Sequence, residues 1–397
     1  MTRRVVLAIT LSVAAVGTVH GQLPDWIPHI RGYFLNVPIG MAQGPFSDAA
    51  QADFQRLRLM TRPRYGPVSF DLAYEQLLTL RSDSGMGAIG GLGAAATAGG
   101  GDWLGLQGTL RETAHLDWRH RVDRMSVGFS TGAVEATVGR QPISWATTLF
   151  LTPADPFAPF DPSDPFREYR GGVDAVRIRA SPGQFTEIDG VVRMASFGGE
   201  DLVTALGRAR TAVGPWEIAV WGGILHEELA LSAAATVTVA GGVLRGEAVY
   251  RRRDGDDVLR MTIGADRSFV VAGRNVYLVA EYQRDGFGAG SPDELLETLL
   301  SVPARRGEMQ VYGRDEMAVQ GSVELHPLVS VDALMLWNLN DPSVLLGPGV
   351  SYAASGEVSL RGGVYLGLGT GSTDAGLPGS EFGIVPTTGY LSVSWFF

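Results

Sequence analysis

Apolar and polar residues alternate in twos along most of the chain. Val68, Phe70, Leu72 and Tyr74 interleave with Ser69, Asp71, Ala73 and Glu75. Leu259, Met261, Ile263 and Ala265 do so with Arg260, Thr262 and Gly264. Val358, Leu360, Val364, Leu366 and Leu368 share a parity opposite Ser359, Arg361 and Tyr365. A period of two belongs to strands with one apolar and one polar face. It predicts eighteen strands, near 27–38, 53–62, 67–80, 106–129, 133–141, 171–181, 184–197, 202–212, 215–225, 229–240, 242–253, 257–268, 273–285, 308–326, 328–339, 344–354, 356–369 and 386–397, with sixteen as the other even count open. One helix is predicted, with Ser291 as N-cap, Pro292 in first place, Glu294 completing a capping box, and an apolar stripe of Leu295, Leu296, Leu299 and Leu300 that suits a packed lid.

A soluble sandwich would alternate in the same way, so the connections must discriminate. One set is short and rich in Gly or Pro: Pro63–Gly66, Ser130–Gly132, Pro182-Gly183, Gly214, Gly241, Ala272, His326-Pro327 and Ser355. The other set, alternating with it, contains every long connection: 39–52, 81–105, 142–170, 286–307 and 370–385. In an up-and-down sheet, alternate connections lie at opposite ends. Turns at one end and long loops at the other are the asymmetry of a transmembrane antiparallel β-barrel in a bacterial outer membrane, and an even count puts both termini in the periplasm.

The N-terminus agrees. Arg3 and Arg4 precede an apolar stretch from Val5 to Val16 that is too short to span a bilayer, so 1–21 is expected to be a cleaved secretory signal peptide for Sec export in a Gram-negative cell. Residues 22–397 would then form a single barrel. The C-terminal strand, with Leu391, Val393, Trp395 and Phe397 alternating against Ser392 and Ser394, resembles the last strand of outer-membrane proteins, which the barrel-assembly machinery recognises.

Composition excludes several classes. The chain has 397 residues, no cysteine and a net charge of −10. Thiol chemistry and zinc-thiolate sites are therefore ruled out, and nucleic acid is a poor partner. There is no lysine, so every basic side chain is a guanidinium, which suits carboxylate or phosphate ligands. The Gly/Ala run Gly85–Gly101 is expected to be a mobile external loop.

The most informative stretch is 138–179. A strand ending in Arg140 and Gln141 breaks at Pro142, and a Pro- and Phe-rich connection follows with Trp145, Asp155, Phe157, Phe160, Asp161, Asp164 and Phe166. Arg167 and Arg170 precede a return strand carrying Asp174, on which Val176 and Ile178 face one way and Arg177 and Arg179 the other. Gly139-Arg140-Gln141, Ser144-Trp145, Thr152-Pro153, Asp155, Phe157 and Gly172-Val173-Asp174 resemble the corresponding stretch of porin-like outer-membrane barrels allied to the alginate-export and substrate-selective porins. The resemblance covers about forty residues and implies that 142–170 folds into the pore as a constriction.

Arg56, Arg58, Arg140, Arg167, Arg170, Asp174, Arg177 and Arg179 are the expected pore-lining set. Strict alternation from Val134, Ala136 and Val138 would turn Arg140 toward lipid, so either a bulge at Gly139 turns it inward, the favoured expectation, or Arg140 lies above the hydrocarbon. Arginines two apart, as in Arg56/Arg58, Arg208/Arg210 and Arg251/Arg253, share a face, either as a basic ladder or each paired with an acid across strands. His115 and His120 differ in parity, and His226-Glu227-Glu228 has no second histidine nearby, so no metal, cofactor or catalytic group is expected. The function expected is passive or selective passage of small solutes, anions among them, with outer-membrane lipid and lipopolysaccharide as surroundings. The alternative is a surface barrel that binds or organises an external polymer.

Overall fold

The computed structural model describes residues 29–82 and 101–397, except Ala158, Phe160, Arg167 and Asp254. The proposed signal peptide and nearly all of the Gly/Ala run lie outside the described residues.

Eighteen wall strands form a closed antiparallel barrel. In chain order they are β1 Arg31–Met41, β2 Ala50–Thr61, β3 Val68–Arg81, β4 Leu116–Thr131, β5 Val134–Gln141, β6 Val173–Ala180, β7 Thr186–Phe197, β8 Glu200–Val213, β9 Trp216–Leu225, β10 Glu228–Val239, β11 Gly242–Arg253, β12 Asp256–Val271, β13 Arg274–Asp285, β14 Asp315–His326, β15 Val329–Asn338, β16 Ser343–Ala353, β17 Val358–Leu368 and β18 Thr388–Phe396. Each pairs with its neighbours in sequence, and β1 pairs with β18 from Tyr33↔Phe396 to Met41↔Thr388. Closure removes the unpaired edges that lipid could not satisfy. Phe397 completes it: its amide donates to Gly32 O and its carbonyl accepts from Gly32 N.

Alternation sets the two faces. On β6, Val176 and Ile178 are exposed outward; on β7, Ile188 and Val192 are exposed while Asp189, Val191 and Arg193 are buried inward. Among the described residues no helix is long and apolar enough to cross a membrane. Tight turns occupy one end. The other end carries the connections 42–49, 142–172, 286–314 and 369–387, together with the one that includes 101–115.

Two departures from regular pairing matter for the interior. First, Ala73 pairs with Arg124 but Tyr74 with Val122, so Asp123 is an extra residue on β4. This bulge buries Asp123 and Arg124 side by side. Second, the stretch expected as one strand at 106–129 is two. Gln107–Thr113 folds back on the upper part of β4, while β5 pairs only with Met125–Thr131. The chain leaves the wall after Gln141, and the hairpin strand at 107–113 covers the edge that β5 is too short to cover. A two-residue piece, Arg64–Tyr65, continues β2 beyond Pro63.

The helix at 291–300 also differs from expectation. Ser291 makes no side-chain cap; a 3-10 turn, Pro292–Glu294, leads into Leu295–Leu300. Glu294 instead accepts from Gly290 N at 2.7 Å. Leu295 and Thr298 form the buried face, whereas Leu296 and Leu300 are exposed, so the leucine stripe is not one packed surface.

Candidate functional site

The segment between β5 and β6 is held by inward side chains from around the barrel. Glu247 on β11 accepts from Thr147 N at 2.8 Å, Thr148 N at 3.1 Å and Ala154 N at 3.0 Å. Glu281 on β13 accepts from Leu149 N, Phe150 N and Leu151 N at 2.6–2.9 Å. Gln310 accepts from Thr152 N at 2.6 Å and donates to Phe150 O at 2.6 Å. Tyr365 on β17 donates to Ser163 O at 2.6 Å, and Trp221 on β9 to Ala154 O at 3.1 Å. An irregular segment has no ladder of its own, so its buried amides need such acceptors. Prolines recur every third residue at 153, 156, 159, 162 and 165, which removes five further donors.

Apolar side chains pack the segment on two sides. Ile143, Trp145, Ala154 and Phe157 join Val191, Leu206, Trp221 and Val249. Leu151 and Phe166 join Tyr33, Leu35, Phe54, Leu336, Tyr365 and Tyr390. Trp145 meets Phe157 edge-on at 5.0 Å, and its indole N–H donates to Asp189 at 3.0 Å. Asp155 accepts from Ser144 Oγ at 2.8 Å and pairs with Arg170. Asp161 and Asp164 close local turns, onto Ser163 N and Phe166 N respectively. Phe160 and Arg167 lie outside the described residues.

A cluster of charges borders the segment's return arm. Arg58 on β2 lies 2.5 Å from Glu75 and 2.7 Å from Asp123, with Tyr169 stacked 4.5 Å from its guanidinium. Arg121 bonds Glu75 at 2.6 Å, and Arg124 donates to Arg170 O at 3.3 Å. Arg56 donates to Phe166 O at 3.4 Å. Parity on β2 foretold that Arg56 and Arg58 share a face. The acids that meet Arg58 are invisible to local pattern, because one lies on β3 and the other on the β4 bulge. Arg177 pairs with Asp189, and Arg179 lies 2.7 Å from Glu135.

Arg140 and Asp174 differ from expectation. Pairing runs unbroken through Gly139 on both sides, so no bulge inserts there. Gly139 does have a φ of 115°, and a Cβ would lie 2.3 Å from Met125 O, so only glycine fits. Arg140 faces its cross-strand partner Asp174 at 2.8 and 2.7 Å, and Asp102 at 3.2 Å. The 101–104 stretch lies over both: Asp174 accepts from Trp103 N and Leu104 N, and Arg140 donates to Leu104 O. Both side chains are enclosed at the gap left by β5, where they brace the wall.

Two more tethers lie at the loop end. His226, in a left-handed turn with φ 52°, meets Glu308 at 3.2 Å, and Arg251 bonds Glu308 at 2.8 Å. Burial alone would raise Glu308, yet His226 and Arg251 hold it well below the usual carboxylate range. Glu381, in the 369–387 connection, accepts from Tyr312 N at 2.8 Å, Gly313 N at 3.0 Å and Asn338 Nδ2 at 2.8 Å. Burial pushes Glu381 above the ordinary range, against the pull of a hydrogen bond shared with Glu316 and of these donors, and with Asp341 adding to the rise. Among the described residues no group of three or more His, Asp or Glu is placed to hold a metal.

A closed eighteen-strand barrel with a wall-tethered inner segment is the architecture of outer-membrane porins. No family model and no curated protein sequence matches the chain. Solved structures do. Acinetobacter baumannii OccAB1 aligns with a TM-score of 0.59 at 9% identity, covering 93% of this chain and 96% of that one. A BenF-like porin from Pseudomonas fluorescens Pf-5 gives 0.56 at 14%, covering 94% and 98%. Pseudomonas aeruginosa OpdK, solved with vanillate, gives 0.55 at 11%, covering 93% and 98%. At these identities the likeness is one of fold.

Proposed function

We propose that this chain is an outer-membrane channel for small solutes, with segment 142–170 as its constriction and a preference for anions. The carrying observation is the charge balance beside the return arm of that segment. Arg56, Arg58, Arg62, Arg121 and Arg124 gather there against Glu75, Asp123, Asp71 and Glu168, five guanidiniums to four carboxylates, in a chain whose overall charge is −10. A local positive excess within low-dielectric walls raises the local concentration of anions. Eighteen strands enclose enough space for solutes even when part of it is filled. That a barrel of the same fold was solved with vanillate supports an organic anion as cargo.

The same reading places both termini in the periplasm after Sec export and removal of 1–21. Leu391, Val393, Trp395 and Phe397 would serve as the assembly-machinery signal, and lipopolysaccharide would surround the loop end. The test is reconstitution of the mature chain in a planar bilayer under a salt gradient. Discrete conductance steps with an anion-selective reversal potential are expected. Folded protein that inserts without conducting would favour the polymer-binding alternative.

A further inference from the structure

Two buried carboxyl groups meet at the loop end of the barrel. Glu316, the second residue of β14, is 0% exposed, and Glu381 in the 369–387 connection is 6% exposed. Both converge on one amide: Gly313 N donates to Glu316 Oε1 at 3.1 Å and to Glu381 Oε2 at 3.0 Å. Gly313 permits this approach, since a Cβ there would lie 2.5 Å from Glu316 Oε1 and from Asn338 Nδ2. The other oxygen, Glu316 Oε2, is shut off from solvent and has no donor. The side chain that shares a hydrogen bond with Glu316 is Glu381, which only accepts when it is ionised.

The surroundings supply no compensating charge. Asp341, from the turn between β15 and β16, is a third buried acid. Tyr312 lies beside Glu381 and, on the inner segment, Asp161. Asp315 is turned to Arg284 and Tyr282, and Arg314 to Glu294. Among the described residues no guanidinium or imidazole bonds Glu316, Glu381 or Asp341. Two carboxylates this close and this dry cannot both stay ionised without a cation or a proton between them. A metal ion would find few ligands. Glu381 has its oxygens committed to Tyr312 N, Gly313 N and Asn338 Nδ2, and Asp341 has its own committed to Ser343 and Glu381 N. Glu316 Oε2 alone is left, which suits a proton.

We propose that Glu316 and Glu381 share one proton, and that this proton gates the bore, opening it as the medium turns alkaline. The gate rests on the channel reading above, whose regulation it adds. The pair is one or two residues from the contacts that shape the bore. On the piece of chain that Glu381 clasps, Gln310 holds Thr152 N and Phe150 O, and Val311 packs with Leu151 and Phe166. Phe382, next to Glu381, joins the same cluster. With the proton in place, both connections close on the inner segment. Without it two buried anions repel, 369–387 and 308–314 draw apart, and the segment loses the support of Gln310 and Phe382.

Two measurements on the full mature chain test this. Infrared difference spectra between the refolded wild type and E316Q report the shared proton. A protonated-carboxyl C=O band should be present in the wild type and lost in E316Q, whose amide donates to Glu381 in the proton's place. Planar-bilayer recordings report the gate. Wild-type conductance should rise reversibly as pH is raised, with the same midpoint at which the wild-type band disappears, while E316Q keeps the low-pH level throughout. Heat-modifiable migration on gels reports folding, and the match of the two wild-type midpoints needs no variant. Absence of the band overturns the inference, as does an E316Q conductance that rises with pH as the wild type's does, or a mismatch of the two midpoints. A rise that a chelator produces at low pH also overturns it, since a metal ion would then bridge the pair. A titrating band in a protein that conducts at no pH leaves the shared proton standing and overturns the channel reading, and the gate with it.

Discussion

Glu281 and Leu151 are 130 residues apart in sequence and joined by a 2.9 Å hydrogen bond from the Leu151 amide to the Glu281 carboxylate. Leu149 and Phe150 donate to the same carboxylate. Glu281→Ala would orphan three neighbouring amides, each worth about 1–3 kcal/mol when buried without a partner. The inner segment should then fluctuate while the wall stays paired. Single-channel recordings should show larger and noisier conductance. Conductance identical to that of the wild type would remove the segment from the conduction path.

Arg177 shares Asp189 with the Trp145 indole. Replacing Arg177 and Arg179 by serine removes two positive charges and frees the carboxylates of Asp189 and Glu135. The reversal potential should move toward cation selectivity. If it does not move, these arginines do not border the passage.

The two arginine environments should differ sharply in stability. Arg58 and its partners Glu75 and Asp123 are almost wholly buried. Arg58→Leu takes the nearest partner from buried Asp123 and leaves Glu75 to Arg121 alone, and should cost about 3–5 kcal/mol in urea unfolding from lipid. Arg179 and Glu135 are both more than a third exposed, so Arg179→Leu should stay within about 1 kcal/mol of the wild type.

Glu381 should tie the 369–387 connection to the 286–314 loop in a pH-dependent way. Its folded pKa is raised above the unfolded value of about 4.3, so its contribution is complete below that value and is lost as pH rises through the folded one. Hydrogen exchange at 312–313 and 380–382 should therefore lose protection toward alkaline pH beyond the intrinsic rate increase. The double variant E316Q/E381Q, which removes both of the facing carboxyls that can ionise, should show no such extra loss. An equal pH response in both proteins would exclude this pair as the titrating groups.

What the sequence discloses here is what repeats locally. Alternation in twos located the strands, and the sorting of Gly/Pro turns from long connections supplied the barrel topology. Both signals live within some fifteen residues. The bulge at Asp123 was not legible, because one extra residue within a polar stretch leaves the hydropathy pattern intact. The cover on the Arg140–Asp174 pair was not legible either, because 101–104 comes from a different connection. Glu247 and Glu281 did leave a signal, as acids on inward parity beside Val249 and Val279, where a charge demands donors. Their donors are amides of an irregular segment, and no periodicity announces those.

The wall and its contents also differ in how far apart their partners lie along the chain. Most wall contacts join strands consecutive in sequence, through hairpins that close over short loops. The contacts of 147–163 with Glu247, Glu281, Gln310 and Tyr365 span 93 to 202 residues. Local pairings form early and distant ones late, since each distant contact must first meet the entropy of a long loop. The barrel is thus built in two stages on separate clocks. The cylinder zips up hairpin by hairpin, and its bore takes on a defined width only after the last strands have arrived to hold the segment inside.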